Sequence, residues 1–372
     1  MPNSILSPSI IAREALMLLE SNMVFGNLVF RGHQDDFTGA RVGDTITVRG
    51  PATFVADEYD GATLTIQDAT ESSVPVTLEK HFDVSFKVSD REMSLSIADF
   101  SGQLLQPAIL AIAEAVDAYV ASKYVETHAV IGSAGSPPAS LADLAAIDRR
   151  LNEARVPLSN RALVLDPAGK EAMFQIPSFA EADKRGDQGS ALRDASMGRF
   201  MGFDHFMSQN VKSHASGTAA GSLAVNGAVT AGATSLDIDG GSGSQTLKAG
   251  DLLSFDGIEG SFVVTADKTA SSGAWSSVAM SPALPALDHG TSVSLVASHV
   301  ANLAFHRNAF MLAVVPLSLP KGAGMAEYVN FRGLGIRVVY DYDKDAKSDV
   351  VSLDLLAGAR CQDPRLAVRV LG

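Results

Sequence analysis

One stretch restricts the possible folds more than any other. Between Gln103 and Thr127, the residues Leu105, Ile109, Ile112, Val116 and Tyr119 recur at steps of four and three. That is the spacing of a single helical face. Alanines at 108, 111, 113, 115, 118 and 121 raise helix propensity and permit close approach of neighbours. About 25 residues at about 1.5 Å each predict a rod of about 38 Å. A helix of that length exceeds the globular mean, so it is expected to span the molecule and the rest must be arranged around it.

On both sides of this rod the period changes. Upstream, Ser7-Pro8-Ser9 followed by Ile10, Ile11, Ala15, Leu16 and Leu19 predicts a short capped helix. From Phe30 to about Arg91 the pattern is short strands: Thr45 to Arg49, Thr63 to Ile66, and Phe82 to Val88 all alternate. Period two puts Phe82, Val84, Phe86 and Val88 on one half-buried face. The polar, turn-rich residues between them predict an elongated hairpin-like excursion with little core of its own. Downstream, Ser140 to Ala154 reads as an amphipathic helix with Ser140 as N-cap, Arg161 to Leu165 as a buried strand, and Ala168 to Phe174 as a brief helix.

Composition breaks sharply after Gly217. Residues 221–296 are rich in Gly, Ser, Thr and Ala, with Lys248 and Lys268 against seven Asp and Glu. Alternating runs at 234–238, 252–255, 262–265 and 291–295 are separated by turn signals such as Asp256-Gly257. This pattern predicts a small β-barrel or sandwich inserted into a parent domain. Apolar residues 302–316 and two strands, 335–342 and 350–357, then return to that parent.

Charge and chemistry exclude several classes. The chain carries 29 Lys and Arg against 42 Asp and Glu, a net charge of −13, which disfavours a dedicated binder of duplex DNA or anionic membrane. A single cysteine, Cys361, rules out an internal disulfide framework and fits a reducing compartment. No run of about 18 apolar residues predicts a membrane span. No phosphate-binding Gly loop, nucleophile elbow or His-Glu-x-x-His helix occurs, so no catalytic, cofactor or metal residue is assigned. His299 and His306, seven apart, would share a helical face but have no carboxylate at ligand spacing. Asp341, Asp343, Asp345 and Asp349 follow part of a calcium-loop template, yet Ala346 and Ser352 stand where Gly and Glu are needed. A charged hairpin tip explains them better. Cys361 reads as inert.

The order of parts resembles the major capsid proteins of tailed bacteriophages, which share the Hong Kong phage capsid fold. Asn302 to Phe310 followed by Ala313 to Pro316 is similar to a segment late in such coat proteins. So are Gly335 to Val338 leading into Tyr340 to Asp343, and Ser352 to Gly358. The module 221–296 looks like the insertion domain of the short-tailed Salmonella-phage coat protein subgroup.

The resemblance implies an α+β capsid fold with an inserted all-β barrel-like domain. Its parts would be an N-terminal arm (1–29), an extended β-loop with a peripheral-domain strand (30–91), the spine helix of the peripheral domain (92–127), an axial domain (128–216), the inserted β-domain (217–297) and a return segment (298–372). It further implies self-assembly through hexameric and pentameric capsomers into an icosahedral head, without catalysis or cofactor. Scaffolding protein and portal would be partners, DNA would be held only by enclosure, and no membrane would be involved. The chain would reside in the virion capsid, and in host cytoplasm during assembly. Arg41, Arg49, Asp57 and Glu58 on the extended loop are the expected inter-subunit charge contacts. The alternatives are another shell or tail structural protein, and a hydrolase with an accessory β-domain.

Overall fold

The computed structural model describes residues 8–32, 43–49, 73–88, 101–181, 195–315, 317–320, 325–331, 334–343 and 348–372. The chain divides into two compact units interleaved in sequence: Met1–Asn22, Arg31–Ala113 and Met311–Gln362 form the first, and Met23–Phe30, Glu114–Phe310 and Asp363–Gly372 the second.

In the first unit the helix Pro8–Asn22 lies on the strands Met325–Phe331 and Leu334–Asp343. It buries Ile11, Ala12, Ala15, Leu16 and Leu19, while Ile10, expected on the same face, is 45% exposed. The sheet is organised by the 14-residue strand Ser348–Cys361. That strand pairs antiparallel with Leu334–Asp343 and, over Asp349 to Ala357, with Lys80–Val88. Lys80–Val88 shows the alternation read from sequence: Phe82, Val84 and Phe86 are half-buried, and Asp83, Ser85 and Lys87 are exposed. Asp354 is 3% exposed and is held by Arg337, whose Nε donates to Oδ1 at 2.9 Å.

Gly358 sits in the same long strand where it passes the end of Ser73–Thr77, the strand paired with Thr45–Arg49. A Cβ at Gly358 would lie 2.5 Å from the Thr77 carbonyl oxygen. Gly358→Ala is therefore expected to destabilise the chain by about 1–3 kcal/mol, seen as a lower urea midpoint for the unassembled subunit. An unchanged midpoint would mean the crossing relaxes freely.

The long helix is present as a continuous helical path. It opens with a π-turn at Ser101–Leu105, continues as α-helix Gln106–Ala121 and tightens to a 3₁₀ turn at Ser122–Glu126. Leu105, Ile109, Ile112, Val116 and Tyr119 are all buried, as their spacing requires. By length and composition Gln103–Glu126 could cross a membrane, but 56% of its most apolar window is buried within the protein, as in a core helix.

The second unit is built on a seven-stranded sheet. Val130–Ile131, Ala367–Leu371, His299–His306, Arg161–Leu165, Phe203–Met207 and Arg199–Phe200 lie in that order, and Ser213–His214 pairs with the start of His299–His306. Leu141–Glu153 covers one face through Leu144, Ile147 and Leu151. Ser140 caps it: its Oγ accepts from the Asp143 N–H at 3.2 Å, and Asp143 accepts from the Ser140 N–H at 2.9 Å. Asp166 caps Pro167–Phe174, its carboxylate accepting from the Ala168 and Gly169 N–H groups.

A second sheet in this unit runs Ala224–Val225, Ser235–Asp239, Trp275–Ser281, Phe262–Val264, Leu252–Phe255, Val293–Leu295. A bridge from Ala224 to Ser292 joins its first strand to the last, so the sheet closes on itself. Closure removes exposed strand edges. Its interior is a separate apolar cluster around Trp275, Ile238, Leu253, Phe255 and Val278.

Candidate functional site

The most concentrated polar chemistry in the described residues lies where the closed sheet is rooted in the second unit. Five segments supply it. Tyr124 comes from the 3₁₀ end of the long helix, and His214 from the strand just before residue 217. Asp251 comes from the turn that precedes Leu252–Phe255, and His299 begins the strand that follows the closed sheet. Arg369 stands at the centre of Ala367–Leu371. The antiparallel register that pairs His299 with His214 brings the two imidazoles to 5.3 Å between ring centroids.

The hydrogen bonds form one network. Tyr124 Oη lies 2.9 Å from His214 Nδ1, and His214 Nε2 lies 2.8 Å from Asp251 Oδ1. With the tyrosine hydroxyl donating, His214 carries its proton on Nε2 and donates it to Asp251. Asp251, fully buried, also accepts from the Lys248 N–H at 2.7 Å and from the Gly217 N–H at 3.1 Å. Arg369 is 0% exposed and donates to the carbonyls of Gly250 at 2.8 Å, Tyr124 at 2.7 Å and Thr127 at 3.1 Å. Its guanidinium stacks 4.8 Å above the Tyr124 ring. Burial pulls the Arg369 guanidinium down to about 10, opposed by the tyrosine and by Asp251. Burial likewise raises the Tyr124 hydroxyl.

Two glycines make room for this junction. Gly250 has φ +94, which L side chains rarely adopt, and a Cβ there would come 2.8 Å from Val125 Cγ1. A Cβ on Gly217 would collide with the Thr246 carbonyl oxygen and come 2.8 Å from Asp251 Oδ2.

Hydroxyl, imidazole and carboxylate in series are the parts of a nucleophile relay. Here the hydroxyl is a tyrosine only 8% exposed, spent on the imidazole, and the carboxylate is saturated by backbone donors. What the arrangement does is hold segments together.

The residues singled out from sequence fall elsewhere. Arg49 ends the strand Thr45–Arg49, opposite Ser73. Arg41, Asp57 and Glu58 lie outside the described residues. The structure corrects the reading of His299 and His306: they open and close a strand, not a helix. At period two, seven residues apart means opposite faces, and His306 is used locally, its Nδ1 accepting from the Asn308 N–H at 3.2 Å. Asp341 and Asp349 face each other's neighbours across antiparallel strands, Asp341 opposite Val350 and Tyr342 opposite Asp349. Asp345 lies outside the described residues. Among the described residues no three His, Cys, Asp or Glu gather as a metal site. Cys361 is buried at the end of its strand.

Comparison with known proteins gives one family. The model for "P22 coat protein - gene protein 5" matches residues 9–260. Among solved structures, that of Mycobacterium phage Che8 is 15% identical with a TM-score of 0.50, covering 94% of this chain and 90% of that one. The capsid structure of the cyanophage P-SCSP1u is 12% identical with a TM-score of 0.49, covering 94% and 88%. No curated protein sequence matches the chain. At such identity the Che8 likeness speaks to fold alone, and it agrees with the α+β architecture expected from the sequence.

Proposed function

Since the chain belongs to the P22 coat protein family, we propose how its parts build the shell of which it is the subunit. It is a major capsid protein of a tailed phage, located in the virion head, and its role is structural. The family match over residues 9–260 carries this reading.

The finer assignments are ours. Copies of the chain associate as hexameric and pentameric capsomers of an icosahedral shell, assembled in host cytoplasm around scaffolding protein and a portal. Closed shells need one chain with heterologous, complementary patches that close by rotation. Residues 30–80 act as the extended loop that reaches a neighbouring subunit: the strands Thr45–Arg49 and Ser73–Thr77 form a two-stranded ribbon, and such a ribbon gains stability from a partner. The helix through Gln106–Ala121 serves as the spine, residues 128–216 with the last strand as the axial domain, and residues 217–297 as the insertion domain. The net charge of −13 suits a wall that encloses DNA without gripping it.

Negative-stain electron microscopy of the purified protein, with and without its co-expressed neighbouring genes, tests this. Closed shells or curved sheets of rings are expected. A monodisperse monomer in both preparations would refute it, and tubes would favour a tail protein.

Arg41, Arg49, Asp57 and Glu58 are proposed as inter-subunit charge partners. An ion pair that stays exposed to solvent is worth only about 0–1 kcal/mol, but one at a subunit contact would repeat in every subunit of a shell. Arg49→Glu is expected to lower shell yield and the temperature at which shells fall apart. Unchanged yield and melting would remove Arg49 from that role.

A further inference from the structure

The two histidines at the root are unequally satisfied. His214 has Tyr124 on one nitrogen and Asp251 on the other. His299, 4% exposed, has its Nδ1 2.8 Å from the Ala297 carbonyl, to which it donates. The neutral ring then presents Nε2 as an acceptor, and no donor among the described residues reaches it. Charged and titratable groups act on it from the elements beside it: His214 on the paired strand, Arg369 on Ala367–Leu371 and Asp251 on the turn from the closed sheet, with the Tyr124 hydroxyl beyond them on His214 Nδ1. Lys248 sits at the rim with Nζ 3.2 Å from the Ala215 carbonyl.

A proton on His299 would therefore be doubly unfavourable. It would turn Nε2 into a buried donor with no acceptor, and it would add a cation beside the guanidinium of Arg369. Asp251, the buried carboxylate of the junction, is already shared among His214, Lys248 and Gly217. The segments that would relax are those that lead into and out of the closed sheet, at residues 214–217 and 297–299.

We propose that this root is an acid-released latch, in which protonation of His299 loosens the seating of residues 217–297 on the seven-stranded sheet. The direction follows from linkage. Burial holds His299 well below its ordinary 6.5, at about 4. The seated state refuses a proton that the released state accepts, so seating is complete above about pH 6.5 and weakens as pH falls toward 4. Between pH 7.5 and pH 5 the release equilibrium is expected to rise roughly 10- to 30-fold.

The inference concerns a single subunit and stands apart from how the shell assembles. Hydrogen exchange on the full, unassembled chain tests it, read at the Gly217 and Lys248 amides and corrected for intrinsic rates. In the wild type, opening of these amides should rise 10- to 30-fold from pH 7.5 to pH 5. His299→Asn keeps a donor for the Ala297 carbonyl but cannot take a proton, and its rise should be under threefold. An equal rise in His299→Asn, or none in the wild type, would overturn the latch. If the variant does not fold, the ring titration of His299 in the wild type decides: a midpoint below 5 supports the latch, and one near 6.5 overturns it.

Discussion

Arg369→Met is expected to destabilise the subunit by about 3–5 kcal/mol, because it removes one member of a buried charge network and strands the rest. The guanidinium reaches the carbonyls of Gly250, Tyr124 and Thr127 at once. Methionine fills a similar volume, so the loss reports charge and hydrogen bonding more than a cavity. The carbonyls of Gly250 and Thr127 would lose the guanidinium, the Tyr124 carbonyl would keep only the Thr127 N–H, and Asp251 would lose the nearby cation that compensates it. Thermal and urea unfolding of the unassembled chain give the size of the effect, with Arg369→Lys expected between wild type and methionine. A loss below 1 kcal/mol would mean that water or local relaxation replaces the guanidinium at little cost.

Trp275→Ala should be as costly in energy but different in place. Trp275 is 1% exposed and heads the largest fully buried side chains. Its ring is so closely met by the backbone that a Cβ on Gly241 would come 2.5 Å from Cη2. Truncating a buried aromatic costs about 3–5 kcal/mol through lost transfer energy and the cavity left behind. The interior of the closed sheet is a separate cluster from the one beneath Leu141–Glu153. Limited proteolysis should therefore open new sites within residues 217–297 while residues 141–165 stay protected. Simultaneous loss of both would show that the two cores unfold as one.

Much of this architecture could be read from local period. The rod helix and Lys80–Val88 carry the period of an element with one buried face, Ser140 carries a capping signal, and the strands at 252–255 and 262–264 are short apolar runs between turn signals. The strands left unread break that pattern for stated reasons. Ala367–Leu371 places an arginine at the centre of a fully buried run, tolerable only because Arg369 finds three carbonyls far away in sequence. Phe203–Met207 interleaves Asp204 and His205 with its apolar residues. Trp275–Ser281 contains Ser277 at φ 50, where the register against Ser235–Asp239 shifts and the alternation fails. The root was illegible altogether. Tyr124, His214, Asp251, His299 and Arg369 have no spacing in common, and the tertiary fold brings them together, the sheet registers placing His214 against His299 and Arg369 against Leu303. His299 and His306 misled for the converse reason: a spacing of seven suggests a helix, and a strand of eight accommodates it equally.

The position of Ala367–Leu371 carries a further consequence for how the protein is made. This strand lies between Val130–Ile131 and His299–His306, parallel to the first and antiparallel to the second. During translation its neighbours emerge long before it does. Until residues 367–371 leave the ribosome, the edge strand Val130–Ile131 lacks its pairing strand and one side of His299–His306 faces an empty lane with its ladder groups unmet. Filling the lane closes a loop of more than two hundred residues, which is slow on topological grounds. A nascent chain in that interval offers the same lane to a strand of another copy, so crowding on polysomes is the circumstance in which this subunit is most exposed to strand exchange.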